Sequence, residues 1–438
     1  MQQEDLKFKR QVLDPISSSF CAAKWYNATI WLGSGMTTSC HHPLPHKVSV
    51  QEVEANFKAL HNTEQKKKQR QQMLDGERPS GCDYCWRIED MGKDSISDRV
   101  YKTKIYTPEE IRIASMSDPH KDFDLRTLEI AFDRTCNLAC SYCNPAFSTT
   151  WVKDIKKHGA YQSLSSDGRN HFTHEHRSSQ LYKYNETNPY VEAFFKWWES
   201  DLHKTLDELR ITGGEPLMSQ HTWRLIDWFL ENPKRSKTRL AINSNLNVDQ
   251  KKLDKLCAVA DHIELDIYTS VESTNAQQEY IRDGFEWIPF VTNLQTVFES
   301  NVRRVHFMST ISALSIPNLQ TYLDWTKIWK HEHGHDRSAF TLNILRFPSF
   351  QSPAMLPKHI RSKCADEIET WADMDANKKY LHEMEYNQIQ RLIDYLRDIE
   401  LDNQSLLQQD FVNFFQQYDQ RRNKNFANTF PTLNISYA

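Results

Sequence analysis

Six short segments of this 438-residue chain alternate polar and apolar residues, and stretches with helical spacing separate them. They are LRTLEIAFD (Leu125 to Asp133), LDELRIT (Leu206 to Thr212), TRLAINSNL (Thr238 to Leu246), HIELDIYTS (His262 to Ser270), RRVHFMST (Arg303 to Thr310) and AFTLNILRF (Ala339 to Phe347). A period of two marks a β-strand, because successive side chains leave opposite faces. Strands that alternate with helices predict an α/β fold built on a parallel sheet.

The rest of the composition narrows the class. At 39% hydrophobic and 12% aromatic the chain can bury a core, and a net charge of −4 carries no nucleic-acid footprint. The basic run QKKKQR (Gln65 to Arg70) lies in a helical pattern and reads as a solvated helix face. No stretch approaches the ~20 apolar residues of a membrane span. The start, MQQEDLKFKR, lacks the apolar core of a secretory signal. A cytoplasmic location is expected, where clustered thiols point to metal rather than to disulfides.

The nine cysteines form three sets. Cys257 and Cys364 stand alone in helical patterns and read as small buried hydrophobes. Cys136, Cys140 and Cys143 lie in TCNLACSYC, directly after the first strand, with Tyr142 ahead of the third thiol. A structural zinc takes four protein ligands, so three thiolates leave a position open. On a [4Fe–4S] cluster three thiolates leave one iron free for another ligand. A second motif, Gly213-Gly214-Glu215-Pro216, follows the second strand: glycines admit close backbone approach, and a carboxylate accepts from an ammonium.

TCNLACSYC resembles the CxxxCxxC signature of radical S-adenosylmethionine (SAM) enzymes, and Gly213–Pro216 resembles their GGEP motif. The resemblance implies a partial (β/α)6 TIM-like barrel with chemistry at the C-terminal ends of the strands. It implies that Cys136, Cys140 and Cys143 hold a [4Fe–4S] cluster whose open iron binds SAM. Gly213, Gly214, Glu215 and Pro216 would then meet the amino end of SAM, and Asn243, Ser244 and Asn245 its ribose or carboxylate. Ile311 and Ser312 would lie by the adenine, with Ser270 and Arg282 as further candidates. Strand parity puts Glu129, Asp133, Arg210, Thr212, Asn243, Asn245, Glu264, Asp266, Tyr268 and Asn343 on the barrel's inner face. Buried polar groups need partners, so some should pair with one another and the rest suggest a site for SAM and a polar substrate.

Ahead of the barrel, Cys21 to His42 alternates, turns at Gly33-Ser34-Gly35 and alternates again, which is a hairpin signal. An amphipathic helical stretch runs from about Val50 to Leu74, and a turn then delivers Cys82 and Cys85. With Cys21 and Cys40 this makes a four-thiol set fit for zinc or an iron–sulfur cluster; the spacing does not decide. The arrangement is similar to twitch and SPASM auxiliary-cluster domains, and nearly the whole chain resembles twitch-domain-containing radical SAM proteins. An auxiliary [4Fe–4S] cluster is therefore implied. His41 and His42 read as loop residues beside it. HFTHEH (His171 to His176) and HEHGHD (His331 to Asp336) read as solvated loops, the first a candidate lid within an insertion from Gly159 to Asn188.

Three domains are expected: a four-cysteine module at 1–120, the barrel at 121–350 and a helical extension at 351–438. The function implied is reductive cleavage of SAM to a 5′-deoxyadenosyl radical and removal of hydrogen from a polar substrate, a peptide or protein side chain. The alternatives are modification of a sugar or nucleoside metabolite, and a non-enzymatic zinc or iron–sulfur scaffold. Expected partners are an electron donor such as flavodoxin or ferredoxin and a peptide or small polar substrate, with no membrane and no nucleic acid.

Overall fold

The computed structural model describes residues 2–92, 94–166, 172, 182 and 186–433. The chain is mixed α/β, with a large, mainly parallel sheet and many helices. Its strands are β1 (Asn27–Trp31), β2 (Met36–Thr38), β3 (His46–Lys47), β4 (Thr127–Ala131), β5 (Ala139–Cys140), β6 (Glu208–Thr212), β7 (Arg239–Ser244), β8 (Leu265–Ser270), β9 (Arg282–Asp283), β10 (Arg304–Ile311) and β11 (Ser338–Ile344). Each of the six alternating segments contains or overlaps one of them. Among the described residues no helix is long and apolar enough to cross a membrane.

The chain divides into two compact units. The first comprises Met1–Asp133, Gln180–Ile211 and Asn232–Leu240. Its strands follow the order β3-β2-β1-β4-β6. β1 runs antiparallel to β2 and parallel to β4, with Asn27 opposite Thr127 and Trp31 opposite Ala131. Its core gathers Phe20, Trp25, Met73, Trp86, Val100, Ile111 and Phe123.

The second unit comprises Arg134–Ser179, Thr212–Glu231 and Ala241–Ala438. Here β8, β10 and β11 are parallel neighbours, with Tyr268 opposite His306 and Thr310 opposite Asn343. The helix Gln404–Arg422 brings Phe414 and Tyr418 into an aromatic cluster with Trp151, Tyr161 and Phe350.

Local chemistry moves several expected boundaries. β8 starts at Leu265, not His262, because the amides of His262 and Ile263 donate back to the Val259 carbonyl and close the preceding helix. Glu264 is left ahead of the strand with a 62% exposed side chain, not on an inner face. Cys21 lies before a helical turn, Ala23–Tyr26, rather than in the hairpin strand. The stretch from Val50 to Leu74 is three pieces: Val50–Ala55, a 3-10 turn Phe57–Leu60, and Glu64–Leu74. Asn56 and Thr63 interrupt it, since each takes extended backbone and its side chain accepts from an amide two or three residues on.

The basic run is a solvated face only in part, with Gln65 and Lys68 exposed. Lys66 and Arg70 are buried, their stems packed inward and their donors taken up by Thr37, Thr38, His61, Asn62 and backbone carbonyls. HEHGHD is only partly a loop, since His331 to His333 complete the helix Leu319–His333. Of HFTHEH only Phe172 is among the described residues. Cys257 and Cys364 are buried in the helices Gln250–Val259 and Lys358–Asp373.

Candidate functional site

The loop after β4 carries Cys136, Cys140 and Cys143, and the second unit fastens it at nearly every residue. Ser148 caps the helix Thr149–His158 by accepting from the amides of Thr150 and Trp151, and donates to the Leu138 carbonyl (2.8 Å). Thr150 donates to the Cys136 carbonyl (2.7 Å) and the Trp151 indole to the Cys140 carbonyl (3.0 Å). β5 pairs antiparallel with β9, which sets Cys140 opposite Arg282. Gln351 binds Ser141 through both ends of its amide, and the Tyr418 hydroxyl donates to the carbonyls of Ala139 and Tyr280.

The sulfurs themselves receive donors. The Leu138 amide points to Cys136 Sγ (3.4 Å) and the Arg282 guanidinium to Cys140 Sγ (3.5 Å). Burial, then the charge of Cys140, pushes the Cys136 thiol up to about 12. Burial also raises Cys140, with Arg282 opposing, and raises Cys143, with both neighbouring thiols adding to the effect. Thiols held neutral in this way lose their protons to solvent when they ligate a cation.

Gly213 and Gly214 serve two different needs. Gly213 has φ +132°, where a side chain is strained. A Cβ on Gly214 would run into the carbonyl oxygens of Thr135 and Arg134, the latter at 2.6 Å. The close approach that Gly214 permits is thus to the cysteine loop, and the Glu215 amide completes it by donating to the Thr135 carbonyl (2.7 Å). The Glu215 carboxylate is buried and accepts from Ser244 Oγ (2.7 Å), the Asn245 amide (2.7 Å) and the Leu217 amide (3.1 Å). Burial raises its pKa against the pull of these bonds. Three of about four acceptor positions are occupied, so the residue expected to meet an ammonium first ties the turn after β6 to the turn after β7. Pro216 is buried at the start of a 3-10 turn.

The turn after β7 ties to the same loop. Asn245 Nδ2 donates to Asn137 Oδ1 (2.9 Å), and Asn137 Nδ2 to the Asn247 carbonyl (3.2 Å). Asn243 differs from its neighbours: its Oδ1 is buried without a hydrogen-bond partner. Ser270 is half-buried at the end of β8, and Ile311 is fully buried at the end of β10. Ser312 Oγ accepts from the amides of Leu314 and Ser315 and shapes the following turn.

A buried ion pair stands behind the thiols. Arg282 donates to Glu272 through Nε (3.0 Å) and Nη2 (2.8 Å), and the Tyr142 hydroxyl donates to the same carboxylate (2.9 Å). Sequence reading found Tyr142 and Arg282 but missed Glu272, Asn137, Gln351 and Tyr418, whose partners lie far away in the chain. Much of the expected inner polarity is internally paired. Asp266 binds Arg303 (2.9 Å), Tyr268 stacks on His306, and Arg210 bonds Glu208 (3.2 Å). Asn343 is exposed.

In the first unit Cys21, Cys40, Cys82 and Cys85 line one cavity with Lys24, Arg99 and Lys102. Burial, then Cys82 and Cys40, pushes the Cys21 thiol up to about 12, and burial raises Cys40 and Cys85. His42 bonds Asp98 (2.8 Å) and stacks on Tyr84. Among the described residues, the ligand atoms that gather within 4.8 Å in threes are those of His41, His42 and Asp98, and of His335, Asp336 and His382. No three of the thiols are among them.

No family model matches the chain, and no curated protein matches it. Among solved structures, native anSMEcpe with bound AdoMet is similar, with a TM-score of 0.36 and 14% identity over 58% of this chain and 62% of that one. The chain therefore spans less than two thirds of the length of that structure.

Proposed function

We propose that this chain is a radical SAM enzyme. The observation that carries the reading is the loop of Cys136, Cys140 and Cys143, docked within one compact unit against the turns of Gly213–Pro216 and Ser244–Asn245. Three thiols, Cys140 buried and Cys136 and Cys143 partly so, with donors aimed at the sulfurs of Cys136 and Cys140, fit a [4Fe–4S] cluster that keeps one iron for SAM. That pair supplies one-electron cleavage of a sulfonium C–S bond and removal of hydrogen from an unactivated C–H bond.

The chain's own groups hold and orient. Arg282 and the Leu138 amide donate to sulfur and favour the thiolate form, while Glu272 fixes Arg282. Glu215 and Gly214 hold the start of the cysteine loop against the turn after β6. Asn243 offers a buried acceptor for a ligand hydroxyl or ammonium. Burial of the thiols limits access of water and oxygen. The partial (β/α)6 barrel, a cytoplasmic location, a flavodoxin- or ferredoxin-type donor and a peptide or other polar substrate belong to this proposal. So does a second cluster on Cys21, Cys40, Cys82 and Cys85, which line one cavity.

Anaerobic reconstitution should give about eight irons per chain, four for each cubane. Reduced protein with SAM should release 5′-deoxyadenosine, and Cys140→Ala protein should release none. Four irons with one zinc would remove the second cluster. A wild-type chain that binds iron yet never cleaves SAM would end the reading.

A further inference from the structure

A cavity of about 460 Å³ opens in the first unit, and Lys24, His42, His46, Lys66, Asp83 and Arg87 are among the residues that line it. Ligand pockets for metabolite-sized molecules begin at ≈300 Å³. Lys24 and Lys66 are only 3% and 1% exposed. Lys66 Nζ donates to two neutral acceptors, Thr37 Oγ1 (2.9 Å) and the Thr38 carbonyl (3.2 Å), and lies 3.3 Å from His61 Nδ1. Lys24 Nζ has one, Gln69 Oε1 (2.9 Å), which leaves two of its three donors. Among the described residues neither lysine forms an ion pair. Arg70, also buried, stands behind them on His61 and the Lys24 carbonyl. Arg87 is exposed, as is Asp83, the one acid in the lining.

Buried charges of one sign are costly until an opposite charge joins them. We propose that this cavity binds an anion, the phosphate or carboxylate group of a metabolite-sized ligand. Lysine suits this as a compact charge with rotatable donors. Lys24 also lines the cavity of the thiols next door, and Lys66 lies near Cys40 but does not line that cavity.

The test is calorimetric titration of the full, as-isolated chain with inorganic phosphate in one arm and succinate in the other. One of the two should bind at about one per chain and raise the melting temperature; which one identifies the group. Lys24→Met should weaken that binding on the order of tenfold or more, the loss of a charged hydrogen bond. Arg87→Ala, at an exposed position that does not threaten folding, should weaken it severalfold. The proposal is overturned if neither anion binds the wild type, or if the two variants bind as tightly as it does. It is overturned equally if Lys24→Met loses iron while the wild type binds no anion, since the lysine then serves the thiols.

Discussion

Glu272 has no exposed surface and is the acid that pairs with Arg282 among the described residues, while Arg282 in turn reaches Cys140. Removing the anion strands a buried guanidinium. Glu272→Gln should therefore lower stability by about 3–5 kcal/mol, read from urea unfolding, and Arg282→Met in the same chain should recover part of it. A drop below about 1 kcal/mol would mean that the pair is solvated and does not brace the thiol loop. The thiols were legible because their spacing is local. Glu272 was not, since Tyr142 and Glu272 are 130 positions apart and meet only through the fold.

At the scale of elements, the turn after β6 shows how a short motif is shared between tasks. Its glycines read as a cradle for a ligand, yet Gly214 lies against the backbone of Arg134 and Thr135, and Glu215 bonds the turn after β7. Backbone carbonyls cannot swing aside as a long side chain would. Gly214→Ala should displace the cysteine loop and lose the iron held by Cys136, Cys140 and Cys143, with far-UV circular dichroism unchanged. Full iron retention would show that the loop tolerates the shift. The same scale explains the broken helix from Val50 to Leu74. The expected apolar face does not run through the last piece, whose buried residues are Lys66, Arg70 and Met73, and the side chains of Asn56 and Thr63 compete for backbone amides and separate the pieces.

At the scale of the molecule, each unit draws on distant chain. The C-terminal helix Gln404–Arg422 is not a passive cover. Tyr418 bonds the Ala139 carbonyl between the first two thiols, and Arg421 and Arg422 pair with Asp154 of the helix that follows the loop. A chain ending at residue 403 should lose iron from the three-cysteine set and unfold at lower temperature, as iron assay and melting will record; unchanged iron content would mean that the loop holds itself. Alternating strands, the Gly33–Gly35 turn, the grouping of thiols and the capped helix starts were all determined by neighbours in sequence, because dihedral preference and side-chain period act over a few residues. Which thiols converge, which acid meets Arg282, and that Lys66 and Arg70 lie inside rather than in water were decided only by packing. Burial and charge pairing join residues that the chain keeps far apart.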